Sequence, residues 1–112
     1  MPINRETRIF GTALRTRVLA ALALAGESFP TELARLLGAR VFPVQRVIDA
    51  LELEGLVASR KLGVERRVTL DPRFFAHAEM RALLVKLGER DAPLWQALSE
   101  RRSRPRRRGK PL

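Results

Sequence analysis

The sequence predicts a mainly α-helical domain with one small β-hairpin, an α+β fold. Several segments place apolar residues at helical spacing, and most of them are followed by a glycine. Two short runs, "LVASR" (56–60) and "RRVTL" (66–70), flank a glycine-containing segment, which is the pattern of a hairpin. With 112 residues and 46% apolar content, the chain can bury one modest core.

The first helix is predicted between a polar cap and a glycine stop. Leu14, Val18 and Leu22 recur at intervals of four residues, so they share one helical face. Thr12 suits the N-cap because its hydroxyl can accept a hydrogen bond from the backbone of the first turn. Gly26 is expected to end the helix.

Two further helices follow, separated by a short turn. Pro30 suits the first position of the second helix, which is expected to end at Gly38. Pro43 suits the first position of the third, which is expected to end at Gly55. The apolar face of the third helix consists of Val44, Val47, Ile48 and Leu51. Two helices joined by three or four residues that include glycine have the dimensions of a helix-turn-helix.

The hairpin and a C-terminal helical extension complete the predicted order. Gly63 permits a tight turn between the two strands. Asp71 and Pro72 are expected to cap and begin a helix with an apolar stripe of Met80, Leu83, Leu84 and Leu87. A last short helix is expected to present Leu94, Trp95 and Leu98.

Composition excludes several classes of function. The chain has no cysteine and a single histidine, His77, so neither a disulfide nor a metal site is expected. The longest apolar run, residues 18–25, is far shorter than the roughly 20 residues of a membrane helix. The N-terminus lacks the apolar segment of a signal peptide. We therefore expect a cytoplasmic protein that does not bind a membrane.

Positive charge is concentrated at the C-terminus. The net charge is +10, of which residues 99–112 contribute +6 and residues 1–98 contribute +4. Such a tail has too little apolar surface to fold. The sequence therefore predicts a domain at 1–98 and a disordered arginine-rich tail at 99–112. The tail either binds a polyanion or serves solubility.

Four motifs in this order resemble a known family. They are "R-x-x-V-L-x-x-L" from Arg15, "T-E-L-A-R-L-L-G" (31–38), "V-x-R-x-I-x-x-L-E-x-x-G-L-V" (44–57), and a basic hairpin that ends in "V-T-L-D-P" (68–72). Over residues 9–90 the chain resembles bacterial winged helix-turn-helix transcriptional regulators of the ArsR and MarR type. The resemblance implies a winged helix fold in which the third helix enters the major groove of DNA.

The resemblance also implies which side chains contact DNA. In the recognition helix these are Arg40, Val41, Phe42, Gln45, Arg46 and Asp49. Gln can pair with adenine N6 and N7, and Arg with guanine O6 and N7. Phe42 either contacts a thymine methyl group or packs back onto the second helix. Asp49 would repel phosphate, so we expect it to pair with Arg46 or to accept from cytosine N4.

The predicted wing and tail supply further cations. The wing residues Arg60, Lys61, Arg66 and Arg67 are expected to contact phosphates or the minor groove. The candidate DNA-binding residues of the tail are Arg104, Arg106, Arg107, Arg108 and Lys110. Residues 108–111, "RGKP", resemble an AT-hook core, which binds the minor groove of A·T-rich DNA. Non-specific phosphate binding is the alternative.

These observations predict a sequence-specific double-stranded DNA-binding protein, a transcriptional regulator associated with the bacterial nucleoid. A homodimer is expected through Met80, Leu83, Leu84 and Leu87, because this stripe and the apolar first helix offer more apolar surface than a three-helix core needs. Such a dimer would present two recognition helices to a palindrome. The alternatives are a winged-helix protein-interaction module and an RNA-binding accessory protein. No catalytic constellation or phosphate-binding loop occurs, so we expect neither an enzyme nor a cofactor.

Overall fold

Within residues 8–103, the chain forms five α-helices and one antiparallel hairpin, which confirms the predicted fold class. The computed structural model describes residues 8–103, and residues 102 and 103 only by their backbone. The elements, in chain order, are α1 (Ala13–Ala25), α2 (Pro30–Leu37), α3 (Val41–Leu53), β1 (Val57–Leu62), β2 (Glu65–Leu70), α4 (His77–Glu89) and α5 (Ala92–Ser103). Among these helices, none is long and apolar enough to cross a membrane.

Helix α1 is the centre of the core. It contacts α2, α3, α4 and β2, and its residues 18–23 are all buried. The Thr12 hydroxyl accepts from the Arg15 amide at 3.1 Å, so the predicted N-cap is confirmed. Helix α4 packs closely against α1 at Gly88: a Cβ added there would lie 2.6 Å from Leu24 Cδ1 and 3.5 Å from Ala20 Cβ. Glycine at this position therefore lets α4 approach α1.

The helix-turn-helix is confirmed, although α3 begins two residues earlier than predicted. Gly38 ends α2 at φ 63°, ψ 34°, the left-handed conformation that glycine adopts without strain. After the turn, α3 starts at Val41, so Pro43 is its third residue and not its first. Proline is tolerated there because the first four N–H groups of a helix have no intrahelical partner.

The hairpin is longer than predicted, and one residue outside it pairs with β2. Its register runs from Val57↔Leu70 to Leu62↔Glu65. Ser28 forms an antiparallel bridge with Val68, in which each amide donates to the other carbonyl at 3.0 and 2.8 Å. This bridge attaches the hairpin to the segment that precedes α2.

The predicted start of α4 at Asp71 and Pro72 is wrong. The Asp71 carboxylate accepts from the Arg73 amide at 2.9 Å and from its guanidinium at 3.2 Å, which fixes a turn. These bonds lower the pKa of Asp71, the side-chain bond more than the backbone bond. The helix begins only at His77. Asp-Pro suits both a turn and a helix start, and here Arg73 favours the turn.

The C-terminal helices correct two further predictions. Met80 and Leu84 are buried within this chain, at 6% and 0% exposure, and so belong to its own core and not to an exposed dimer face. Helix α5 continues to Ser103, past the predicted boundary at 98. Arg101, which lies within the predicted tail, instead pairs with Glu32 of α2 at 3.0 Å.

A mostly buried ion pair joins α1 to the end of α2 and to the start of α5. Arg17 of α1 makes two bonds to Asp91, from Nε at 2.5 Å and from Nη2 at 3.2 Å. Its Nη1 donates to the Leu37 carbonyl at the end of α2, 3.1 Å away. Asp91 Oδ1 also accepts from the Leu94 amide at 3.2 Å and so caps α5. The pair therefore holds α5 and the end of α2 against α1.

We expect Asp91→Ala to lower the free energy of unfolding by about 3 kcal/mol, because it leaves the Arg17 charge partly buried without its carboxylate and removes a helix cap. Urea denaturation measures the change. Asp91→Asn is the matched control: it keeps an oxygen that can cap α5, so its loss is expected to be smaller. A loss below about 0.5 kcal/mol for the alanine variant would contradict this role.

Candidate nucleic-acid interface

The exposed face of α3 carries the polar side chains that the sequence predicted there. Phe42, Gln45, Arg46 and Asp49 are exposed, and Arg40 is exposed at the N-cap position. Val44, Ile48 and Leu51 are fully buried. Val41 differs from the other candidates because it is half-buried and packs against the core. Helical periodicity therefore separates the core face of α3 from a solvent face that can contact a ligand.

Phe42 lies on the solvent face and does not fold back into the core. Its side chain is 65% exposed, and the Arg46 guanidinium carbon lies 5.7 Å from the centre of its ring. A cation over an aromatic face is attracted by the ring quadrupole. The contact restricts the conformations of Arg46 and holds its guanidinium beside Phe42, one turn away on the same face of α3.

Asp49 pairs with the hairpin and not with Arg46, which corrects the expected partner. Arg66 Nη2 lies 2.9 Å from Asp49 Oδ1 and 3.0 Å from Glu52 Oε1. Ser59 Oγ accepts from Arg66 Nε at 3.4 Å and donates to Glu52 Oε2 at 3.0 Å. Strands β1 and β2 are thus joined to α3 by a charged network, and the Asp49 charge is balanced within the chain.

The other two wing arginines also have carboxylate partners. Arg60 pairs with Glu27 at 3.2 Å, and Arg67 pairs with Glu65 at 3.1 Å. Arg67 lies in addition over the Phe29 ring, 5.3 Å from its centre. Lys61 is exposed, and none of the ion pairs that the wing makes within residues 8–101 involves it. The positive charge that the wing offers to a ligand is therefore smaller than its four basic residues suggest.

Sequence reasoning did not identify Glu27, Glu52 and Ser59 as partners of the wing. One signal was available for Glu52, which follows Asp49 by three residues and so shares its helical face. No local signal was available for Glu27, because its partner lies 33 residues away in the chain. The tail candidates Arg104, Arg106, Arg107, Arg108 and Lys110 lie outside the described residues.

The described part of the chain contains no group of three or more His, Cys, Asp or Glu side chains placed to hold a metal ion. The single histidine, His77, is half-buried at the start of α4, and its amide donates to the Phe74 carbonyl at 3.0 Å.

No protein-family model and no curated protein sequence matches the chain. Solved structures do match. The AntR antimony-specific transcriptional repressor is 23% identical, with a TM-score of 0.59, over 76% of this chain and 75% of that one. The MarR family transcriptional regulator SPO1453 from Silicibacter pomeroyi DSS-3 is 25% identical, with a TM-score of 0.58, over 85% of this chain and 68% of that one.

A third similar structure contains DNA. A mutant of MarR from E. coli, solved in complex with operator DNA, is 24% identical with a TM-score of 0.55. The match covers 80% of this chain but 63% of that one, so this chain spans less than two thirds of the E. coli protein. These structures confirm, at the level of the fold, the resemblance that the sequence motifs predicted. The chain has the winged helix-turn-helix fold of the MarR-family transcriptional regulators.

Proposed function

We propose that the protein binds double-stranded DNA in a sequence-specific manner and regulates transcription as a cytoplasmic, nucleoid-associated bacterial protein. The main observation behind this proposal is the solvent face of α3, which presents Gln45 and Arg46. The opposite face of the helix is buried in the core. The wing is fixed beside the same helix by Arg66. The similar fold of MarR, solved with operator DNA, supports the proposal.

In this proposal, α3 enters the major groove by its N-terminal half. Arg46 donates two bonds to guanine O6 and N7, and Gln45 pairs with adenine N6 and N7. Phe42 touches a thymine methyl group and holds Arg46 by the stacking contact. Arg40, at the N-cap, is placed to contact a phosphate. Asp49 contributes through its bond to Arg66 and not through a base.

The wing and tail add contacts that do not depend on base sequence. Arg60 is the most exposed of the wing arginines, with 63% of its side chain accessible, and Lys61 is also exposed. Arg66 and Arg67 are more enclosed and mainly orient the wing. The basic residues of 104–112 follow α5 and supply phosphate contacts, or minor-groove contacts through the AT-hook-like segment.

Two other functions use the same surface in different ways. An RNA-binding accessory protein would prefer structured or single-stranded RNA over duplex DNA in a competition assay. A protein-interaction module would bind neither nucleic acid in a salt-dependent manner. We favour duplex DNA because a helix with a polar solvent face matches the width of the major groove of B-form DNA, and side chains cannot enter the deep, narrow major groove of A-form RNA.

Selection from random duplex DNA tests the proposed function. We expect an enriched inverted repeat, and enrichment of no duplex would contradict DNA recognition. On the selected duplex, Arg46→Ala is expected to cost about 1–3 kcal/mol of binding free energy, because the bidentate contact to guanine is lost.

Two controls separate base contact from other effects of Arg46. Arg46→Lys keeps the charge without the bidentate geometry, so it should restore affinity for unrelated DNA but not sequence preference. Arg81→Ala removes an exposed arginine from α4 and should leave binding unchanged. A collapse of the melting temperature in Arg46→Ala would show that Arg46 has a structural role instead.

Deletion of residues 104–112 tests the tail and leaves α5 intact. This segment carries five basic residues and no acidic one. Because each neutralised phosphate releases counterions, we expect the slope of log K against log salt to flatten by about three to four units. Sequence preference should persist. A greater loss on A·T-rich flanking DNA than on G·C-rich DNA supports the AT-hook, and an unchanged slope would leave the tail as a solubility segment.

We propose a homodimer through the C-terminal helices, which would present two recognition helices to an inverted repeat. Leu83 of α4 and Trp95 of α5 are 39% and 45% exposed, and Leu87 is half-buried. Leu83→Glu is expected to give monomers in sedimentation at micromolar concentration, because a carboxylate would be desolvated in the interface. Ala82→Glu, at the neighbouring exposed position, is the control. A wild-type monomer would contradict the proposal.

A further inference from the structure

The tip of the wing carries two exposed aliphatic side chains. Leu62 and Val64 flank Gly63, whose φ of 65° forms the turn. Leu62 is 46% exposed and Val64 is fully exposed, at 101%. At the opposite end of the hairpin, Val57, Val68 and Leu70 are buried in the core. The hairpin is therefore anchored at one end and projects an apolar tip into solvent at the other.

The arginines of the wing do not supply the charge of this tip. Arg66 bonds to α3, Arg60 to Glu27, and Arg67 to Glu65 next to the turn. Lys61 is the cation beside the tip that takes part in none of these ion pairs within residues 8–101. The tip thus combines one ammonium group with two aliphatic side chains, which differs from an arginine-presenting wing.

We propose that the wing tip acts as an apolar wedge that enters the minor groove beside the site contacted by α3 and bends the duplex. This inference rests on the proposed DNA-binding function. Apolar side chains inserted between base steps partly unstack them and kink DNA. Lys61 contacts the adjacent phosphate, and the net charge of +10 favours a polyanion over a neutral protein as the partner.

The network around Arg66 makes such a wedge effective. A wedge can bend DNA only when the hairpin that carries it is rigidly attached to the rest of the protein. Arg66 provides this attachment, because it joins β2 to Asp49 and Glu52 of α3, the helix that occupies the major groove in the proposed function. Flexible pyrimidine–purine steps such as TA deform at the lowest cost, whereas A-tracts are stiff. The wing therefore confers a preference for flexible steps at positions flanking the bases that α3 contacts.

The test uses the full chain and the selected duplex in two versions, with a TA step or an A-tract at the flanking position. Bending is measured by energy transfer between dyes at the duplex ends, and affinity by titration. Val64→Ser should abolish most of the bend and weaken binding to the TA duplex by about tenfold. Binding to the A-tract duplex should change by less than about twofold.

Leu53→Ser is the matched control. Leu53 is also a highly exposed aliphatic residue, at 90%, but it lies at the C-terminal end of α3. This variant should bind and bend DNA like the wild type. Equal losses on both duplexes, or no bend by the wild type, would overturn the wedge. A change in self-association with no change in bending would assign the tip to a protein contact and would also overturn it.

The outcomes distinguish the two proposals. If Arg46→Ala loses sequence preference while Val64→Ser keeps affinity and bend, only the wedge fails. If no duplex is selected from random DNA, the proposed function fails and the wedge fails with it.

Discussion

The ion pair between Arg17 and Asp91 is the constraint on which the arrangement of the helices depends. Asp91 caps α5, and Arg17 reaches the last carbonyl of α2, one residue before the turn that leads to α3. Removing two charges from water is costly, and the cost is offset only when the remaining hydrogen-bonding groups are satisfied. Here two bonds join the pair. Each partner also makes a bond to a backbone group, Arg17 to the Leu37 carbonyl and Asp91 to the Leu94 amide. The end of α2 and the start of α5 are consequently held at defined positions on α1, so the turn before α3 starts from a fixed point.

The two faces of helix α3 have different roles, one in the core and one at the surface. Its inner face must fill the core, and Val44, Ile48 and Leu51 do so with no exposed surface. Its outer face is then available for polar groups whose positions follow from the helix and not from a flexible loop. A proline in the first turn does not disturb this arrangement, because the missing N–H has no intrahelical partner at that place. The same rigidity makes α3 a suitable support for the wing, since Asp49 and Glu52 present carboxylates to Arg66 at a fixed spacing.

Ion pairs within the chain reduce the positive charge that its surface can offer to a ligand. A charge of +10 indicates attraction to a polyanion. The three wing arginines nevertheless share their charge with carboxylates of the same chain, so the described surface offers fewer unpaired cations than the composition suggests. Exposed pairs of this kind contribute little to stability, but they fix the direction of side chains. In the proposed function, base contacts from α3 and counterion release by the tail therefore supply more of the binding free energy than the wing arginines do.

The sequence alone determined the order of the elements and the two faces of α3, because periodicity and caps act within a few residues along the chain. The fold class, the helix-turn-helix and the hairpin followed from those local signals, and so did the exposure of Gln45 and Arg46. Only the tertiary structure decided which distant charges meet, such as Arg66 with Asp49, and that Met80 and Leu84 belong to the internal core. Only the tertiary structure also showed that Arg101 belongs to α5, where it pairs with Glu32, and that α4 begins at His77. The physical reason is that pairing and burial depend on how whole helices pack, and a local pattern cannot specify a partner in another element.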